Sequence, residues 1–365
     1  MFDPKKIRRI GINTGGGDAP GLNAVIRAAT LAAIDRGWEV VGIRHGYRGL
    51  IDTTDTMPLT AAAVRGITHL GGTILGTANR NSPFEYPVDT PEGKKVIDIS
   101  DTVVENFKKL ELDAMVCIGG DGSFRLAARF IDKGIPVIGV PKTIDNDLSG
   151  TVMTFGFDTA VSTATDAIGK LHSTAEAHER VMVVEVMGRY AGWIAMNSGV
   201  SATADVILIP EIPFSMESVC RKIEARYAAG RCFAIVVCAE GATPKGEGLY
   251  TKGPKELGRE VLLGGVGDHV AKEITARTGR ETRSLVLGHL QRGGGPTTFD
   301  RLLGLRFGAA AIRFLAQGQI NTMVALDPPE MKAIPLMKGI ESMKTVPLDC
   351  DTLMTARELG ICFGD

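Results

Sequence analysis

Residues 9–23 read Arg9-Ile10-Gly11-Ile12-Asn13-Thr14-Gly15-Gly16-Gly17-Asp18-Ala19-Pro20-Gly21-Leu22-Asn23, a short apolar run that passes through a glycine-rich loop into a segment of helical composition. Arg9 to Asn13 predicts a strand, and Asn23 to Ala33 the helix behind it. A strand entering a helix in this way is half of a βαβ unit, the building block of parallel-sheet α/β folds. Successive glycines also let backbone N–H groups approach phosphate oxygens, beside a helix N-terminus carrying about half a positive charge. Anion binding is one reading of the loop, and a purely structural βα turn is the other. The pattern is neither G-x-G-x-x-G nor G-x-x-x-x-G-K-[ST], which weakens the dinucleotide and Walker readings alike.

The same alternation repeats along the chain. Further strands are predicted at Glu39 to Ile43, Ala114 to Ile118, Pro136 to Val140, Val181 to Val186, Val206 to Ile209, Phe233 to Ala239 and Ser284 to Leu287. Ala160, Val161, Ala164, Ala167, Ile168 and Leu171 recur at spacings of three and four, one apolar helix face behind a cap at Asp158. A second helix is predicted from about Asp300 to Leu315, and Pro244 to Gly258 reads as a surface excursion. At about 150 residues per domain, 365 residues make two α/β lobes. The first takes 1–154 plus about 292–325, and the second 155–291 plus about 326–365.

Lys and Arg number 41 against 42 Asp and Glu, a net charge of -1. That balance argues against holding nucleic acid or anionic membrane by bulk charge, so the expected partner is a small molecule. With 44% hydrophobic residues the chain has material for a core. Glycine is the unusual component: 45 residues, about 12% against an ordinary ~7%, which points to tight loops or close backbone approach to a ligand. Six cysteines are scattered without a C-x-x-C pair or a histidine cluster, and are expected to be reduced and mostly buried. No signal-peptide core follows the basic N-terminal residues, and no run approaches ~18 apolar residues, so a soluble cytoplasmic protein is expected.

Polar and glycine residues fall directly after the predicted strands, where open parallel sheets bind ligands. Gly119-Gly120-Asp121-Gly122-Ser123 combines three glycines with one carboxylate, and magnesium on phosphates uses one or two carboxylates plus water. This is a nucleotide-metal loop or a turn with a capping Asp. In Pro141-Lys142-Thr143-Ile144-Asp145-Asn146-Asp147 a carboxylate can accept a proton from an attacking hydroxyl while the lysine stabilises a transferring phosphoryl group. Asp-Asn-Asp is also a common turn composition. Glu185-Val186-Met187-Gly188-Arg189, Ala239-Glu240-Gly241 and Gly288-His289-Leu290-Gln291-Arg292-Gly293-Gly294 add two arginines and a histidine, which suit an anionic group or structural ion pairs.

Taken together, TGGGDAPGLNAVIR, GGDGS, PKTIDNDL, VVEVMGRYAGW and LGHLQRGG, in this order from Ile10 to about Gly318, closely resemble the 6-phosphofructokinase family. The resemblance implies two Rossmann-like lobes with mainly parallel sheets, an active site in the cleft between them, and phosphoryl transfer to the 1-hydroxyl of fructose 6-phosphate. It places Gly16, Gly122 and Ser123 on the nucleotide phosphates and Mg2+ at Asp121. Asp145 resembles the general base, with Thr143 and Asp147 beside it and Lys142 and Arg189 assisting. Met187, Gly188, Arg189 and Glu240 resemble the sugar-phosphate contacts, and His289 and Arg292 the 6-phosphate clamp. Arg180 and Arg283 match arginines that reach a neighbouring subunit's site, which implies a homodimer or homotetramer.

The resemblance has departures. Arg80, in Ala78-Asn79-Arg80, stands one position from the nucleotide-contacting arginine of many ATP enzymes. Arg27 is kept from the bacterial effector site, but Gly230-Arg231-Cys232-Phe233 lacks its lysine pair. NAD and lipid kinases share GGDG but lack MGR and GHLQRGG, and a non-catalytic sugar-phosphate sensor has no need of both Asp121 and Asp145.

Two positions bear on the phosphoryl donor. Pyrophosphate-dependent relatives typically carry Asp after GGD, where it meets the α-phosphate region of ATP; here the residue is Gly122. Two like charges ~4 Å apart repel by about 4 kcal/mol at an effective dielectric near 20, on the order of a thousandfold in tolerance of ATP. Lys142 instead matches the pyrophosphate enzymes, where ATP enzymes have Gly, but a lysine assists either donor. The combination marks a mixed-type subgroup, with ATP as the expected donor and pyrophosphate as the alternative.

Overall fold

The computed structural model describes residues 2–78, 82–91, 93–246, 248–251 and 263–365. It divides into two compact units, one of Met1–Ile144, Leu148–Gly156 and Arg292–Met343, the other of Asp145–Asp147, Phe157–Gln291 and Lys344–Asp365. The chain opens with β1 (Arg9–Thr14), α1 (Leu22–Ile34), β2 (Glu39–Ile43), the short α2 (Arg48–Ile51) and β3 (Thr56–Pro58). A hairpin of β4 (Tyr86–Thr90) and β5 (Gly93–Ile97) precedes α3 (Ser100–Lys109), β6 (Ala114–Gly119), α4 (Asp121–Asp132) and β7 (Val137–Pro141). The second unit runs through α5 (Phe157–Ala177), β8 (Val181–Val186), α6 (Trp193–Ser201), β9 (Val206–Leu208), α7 (Met216–Ala228), β10 (Ala234–Ala239), α8 (Val266–Thr278) and β11 (Thr282–Val286). The chain then returns to the first unit with α9 (Thr298–Ala316), β12 (Thr322–Asp327) and β13 (Glu330–Pro335), and finishes in the second with α10 (Asp351–Glu358).

The first unit is built on a seven-stranded sheet of order β13-β12-β7-β6-β1-β2-β3. Its five inner strands are parallel, and β3 and β13 close the edges antiparallel. Both faces are covered, as the nearly continuous apolar run of β6 requires. Val116 and Ile118 face a core shared with Leu22, Val25 and Ile26 of α1 and Phe307 of α9, while Met115 and Cys117 face Val103 and Phe107 of α3 and Phe124 and Phe130 of α4. β2 lies on one side of β1 and β6 on the other, so the strand order reverses at β1, the position where doubly wound sheets open a ligand crevice.

The second unit has four parallel strands in the order β11-β8-β10-β9. Val181, Val183, Val236 and Cys238 pack on one face against Val219 and Ile223 of α7 and Val270 and Ile274 of α8, while α5 and α6 cover the other.

All eight expected strands are present, with ends within two residues of expectation. Residues 326–343 belong with the first unit, not the second, because β13 folds back on β12 at that sheet's edge. Asp145–Asp147 joins the second unit. Asp158, expected as a cap, is the second residue of α5, an acid in its first turn. Cys117, Cys220 and Cys238 are buried, whereas Cys232, Cys350 and Cys362 are partly exposed. The excursion at 244–258 lies partly outside the described residues. Among those described, no helix is long and apolar enough to cross a membrane.

Candidate active site

The exits of β1, β6 and β7, neighbours in the first sheet, are stitched together by backbone. Gly15 N–H donates to the Ile118 carbonyl at 2.9 Å and Lys142 N–H to the Gly119 carbonyl at 2.9 Å. Gly16 N–H donates to the Ala78 carbonyl at 3.0 Å, and Thr77 Oγ1 donates to the Gly16 carbonyl at 2.5 Å. The amides of Gly15 and Gly16 therefore serve this stitching. Their missing side chains do different work. A Cβ at Gly15 would stand 2.6 Å from Ser123 Oγ, one at Gly119 2.4 Å from the same atom, and one at Gly16 3.3 Å from Lys142 Nζ. The glycines make room for Ser123 and Lys142 to enter the loop.

Lys142 is 4% exposed, and its Nζ donates to the Gly17 carbonyl. Arg292 Nη1 donates to the next carbonyl, Asp18, at 3.0 Å. Two cations thus sit on consecutive carbonyls of one glycine loop, beside Ser123 and the first turn of α4, whose cap Gly120 brings no side-chain hydrogen bond. Fixed positive charge next to a helix N-terminus favours a phosphate group.

Asp121 opens α4 and is 44% exposed, with Arg125 Nε 2.9 Å from its Oδ2. Arg125 Nη2 also donates to the Ile340 carbonyl at 3.2 Å, which fixes the pair against the unit's own loop. Gly122 is open: nothing lies within 4 Å of where a Cβ would stand. Arg80 lies outside the described residues.

In the second unit the exits of β8, β10 and β11 meet at the carboxyl edge of the sheet. Glu240 N–H donates to the Val186 carbonyl at 2.9 Å and Gly241 N–H to the Gly188 carbonyl at 3.1 Å. The two loops touch so closely that a Cβ on Gly241 would stand 2.0 Å from the Arg189 carbonyl oxygen, so only glycine fits. Gln291, fully buried, accepts from Met187 N–H at 3.3 Å and donates to the Gly288 carbonyl at 3.1 Å, joining the β8 and β11 exits. Met187, Gly188, Arg189, Glu240 and the turn bearing His289 are thereby gathered, with the Arg189 guanidinium 5.1 Å from the Tyr190 ring. Glu185, at the end of β8, accepts from Gly265 N–H at 3.0 Å and Gly267 N–H at 2.8 Å and so anchors the start of α8.

His289 is exposed, and the border between units falls between Gln291 and Arg292, so the expected clamp pair is divided between them. Thr143 closes the first unit's portion of its loop, its carbonyl accepting from Thr154 Oγ1 at 2.8 Å. Asp145 and Asp147 belong to the second unit and flank Asn146, which is buried with φ +52. Arg180 and Arg283 are elsewhere. Arg180 precedes β8 and Arg283 lies early in β11, at the amino edge of the sheet, about 20 Å of strand away from Met187. Both bind Glu281, at 3.0 and 2.7 Å, and the Arg180 contact foremost holds the Glu281 carboxyl below its usual range.

Gln291, Glu185 and Asn146 went unassigned in the sequence, although each stands inside a quoted stretch: LGHLQRGG, VVEVMGRYAGW and PKTIDNDL.

A phosphofructokinase family model matches residues 9–315. An ATP-dependent 6-phosphofructokinase of Chloroflexus aggregans is 48% identical over 363 residues, covering 99% of both chains. A pyrophosphate--fructose 6-phosphate 1-phosphotransferase of Amycolatopsis methanolica is 48% identical over 343 residues, 93% of this chain and 96% of that one. Among solved structures, the Saccharomyces cerevisiae phosphofructokinase has a TM-score of 0.76 at 27% identity, covering 92% of this chain and 45% of that chain. With the family model spanning most of its length and relatives near half identity from end to end, this chain belongs to the phosphofructokinase family.

Proposed function

We propose that this chain is a phosphotransferase that moves the γ-phosphoryl group of ATP to the 1-hydroxyl of fructose 6-phosphate, giving fructose 1,6-bisphosphate. The observation that carries the reading is the seating of Lys142 and Arg292 on the Gly17 and Asp18 carbonyls at the strand-order reversal, where a phosphate-sized anion would find two fixed cations. Asp145 takes the proton of the attacking hydroxyl, Lys142 and Arg189 stabilise charge on the moving group, and Thr143 and Asp147 hold the loop and sugar. Gly16, Gly122, Ser123 and Arg80 attend the nucleotide, while Met187, Gly188, Arg189, Glu240, His289 and Arg292 attend the sugar phosphate.

Mg2+ fits the residues present. Asp121 offers one half-exposed carboxylate at the mouth of α4 with Oδ2 steadied by Arg125, and magnesium bound mainly through phosphates and water needs little more. When bound, the ion neutralises charge on the donor phosphates. Arg180 and Arg283 complete the site of a neighbouring copy in a homodimer or homotetramer, and the protein works in the cytoplasm.

ATP is the donor because position 122 is open and uncharged. The second reading, pyrophosphate, is favoured by Lys142 and by the likeness to the Amycolatopsis protein. Steady-state rates with each donor decide between them. Wild type is expected to be faster with ATP, and Gly122→Asp, which meets no steric obstacle, to lose on the order of a thousandfold in kcat/KM for ATP. Wild type faster with pyrophosphate would overturn the choice.

A further inference from the structure

The segment after Met343 returns to the second unit and lies against the loop of the proposed general base. Lys344 Nζ donates to Asn146 Oδ1 at 2.8 Å, and Lys344 N–H donates to the Asp147 carbonyl at 2.9 Å. The segment is itself held. The Lys344 carbonyl accepts from Trp193 Nε1 at 2.9 Å, and Val346 N–H donates to Glu211 Oε1 at 2.8 Å. Glu211 in turn receives Gly192 N–H at 3.0 and 3.1 Å, so one carboxylate ties the tail to the start of α6.

What this clamp grips is the unusual point of the loop. Asn146 sits between Asp145 and Asp147 with φ +52, in the left-handed region that few non-glycine residues occupy, although asparagine enters it more readily than most. Rotation at that residue turns Asp145 and Asp147 relative to each other. The amine is also placed where burial works against its charge: desolvation pulls it down to about 8, with Asp147 opposing. A lysine kept in so unfavourable a setting needs a local reason, and the Asn146 side chain is one group to which it donates.

We propose that Lys344 is a positioning residue for phosphoryl transfer, which locks Asn146 in its left-handed conformation and thereby aims Asp145 at the acceptor hydroxyl. The inference rests on the assignment of Asp145 above. It gives the C-terminal segment a task in turnover beyond packing.

The test uses the full-length protein with ATP and fructose 6-phosphate. Lys344→Met keeps the aliphatic stem and removes the donors. It is expected to lower kcat by about 10- to 100-fold, the size of effect that a small misplacement of a reacting group produces, while KM for ATP stays within about twofold. Asn146→Gly supplies a residue that takes positive φ without support. Combined with Lys344→Met, it is expected to recover most of the lost kcat, whereas a lysine that merely stabilises the fold would give a loss insensitive to residue 146. Should Lys344→Met not fold, Lys344→Leu, which likewise removes the donors and keeps an apolar stem, is read in the same way. A kcat within twofold of wild type, or a loss that Asn146→Gly leaves unchanged, overturns the proposal. Absence of phosphoryl transfer in the wild type would instead sink the assignment of the activity, so the two failures are distinct.

Discussion

Asp145 and Lys344 are tested by different quantities, one a rate and the other a proton count. Asp145→Asn keeps size and hydrogen-bonding capacity but removes the base, so turnover should fall by about 10²- to 10⁴-fold with the melting temperature little changed. A variant as active as wild type would take the role of general base away from Asp145. For Lys344 the sign follows from burial. Its folded value of about 8 lies below the ordinary 10.5, so between these pH values the unfolded chain keeps a proton that the folded chain has released. The penalty of the buried charge is complete below pH 8 and fades as pH rises toward 10.5. Relative to Lys344→Met, wild type should therefore gain about 2 kcal/mol of unfolding free energy between pH 8 and pH 10. Urea titrations of both proteins at the two pH values measure it, and a constant difference would mean the amine titrates as an ordinary surface lysine.

At the level of elements, α1 and α9 set the first glycine loop, because α1 follows that loop and α9 follows Arg292. The two helices approach backbone to backbone at Gly308, where a Cβ would stand 2.4 Å from the Val25 carbonyl oxygen and 3.0 Å from the Ala29 nitrogen. Gly308→Ala must push them apart, at about 1–3 kcal/mol of stability. The urea midpoint should fall accordingly, and an unchanged midpoint would show that the helices slide freely. Strands buried on both faces, such as β6 and β10, were legible as unbroken apolar runs. The β4–β5 hairpin was not, because β4 alternates half-buried with exposed residues, the described residues of β5 are exposed, and the hairpin includes Lys94, Lys95 and Asp89. β13 was missed for the same reason: an edge strand with Glu330 and Lys332 at exposed or half-exposed positions carries no such run. The loops that follow the strands were legible by their glycines, but the reason for Gly15 and Gly119 was hidden, since it depends on where Ser123 folds back. Lys344 was beyond reach altogether, almost 200 residues from the asparagine it holds and in no motif.

At the scale of the whole molecule, the arginines at the amino edge of the second sheet stand apart from the loops at its carboxyl edge. Arg180 and Arg283 share Glu281 there, a strand's length from Met187 and Arg189, so within their own unit they have no part in the cluster at the sheet's carboxyl edge. If they serve a neighbouring copy across a two-fold axis, lesions of the two kinds should complement each other. An Asp145→Asn chain supplies intact arginines, and a chain carrying Arg180→Ala and Arg283→Ala supplies an intact base. Each homo-oligomer alone should be almost inactive. After unfolding and refolding together in equal amounts, about half of random dimers pair one chain of each kind, and each such dimer has one complete site of two. Activity should then recover to about a quarter of the wild-type value, while a mixture no more active than its separate components would place both arginines in the service of their own chain.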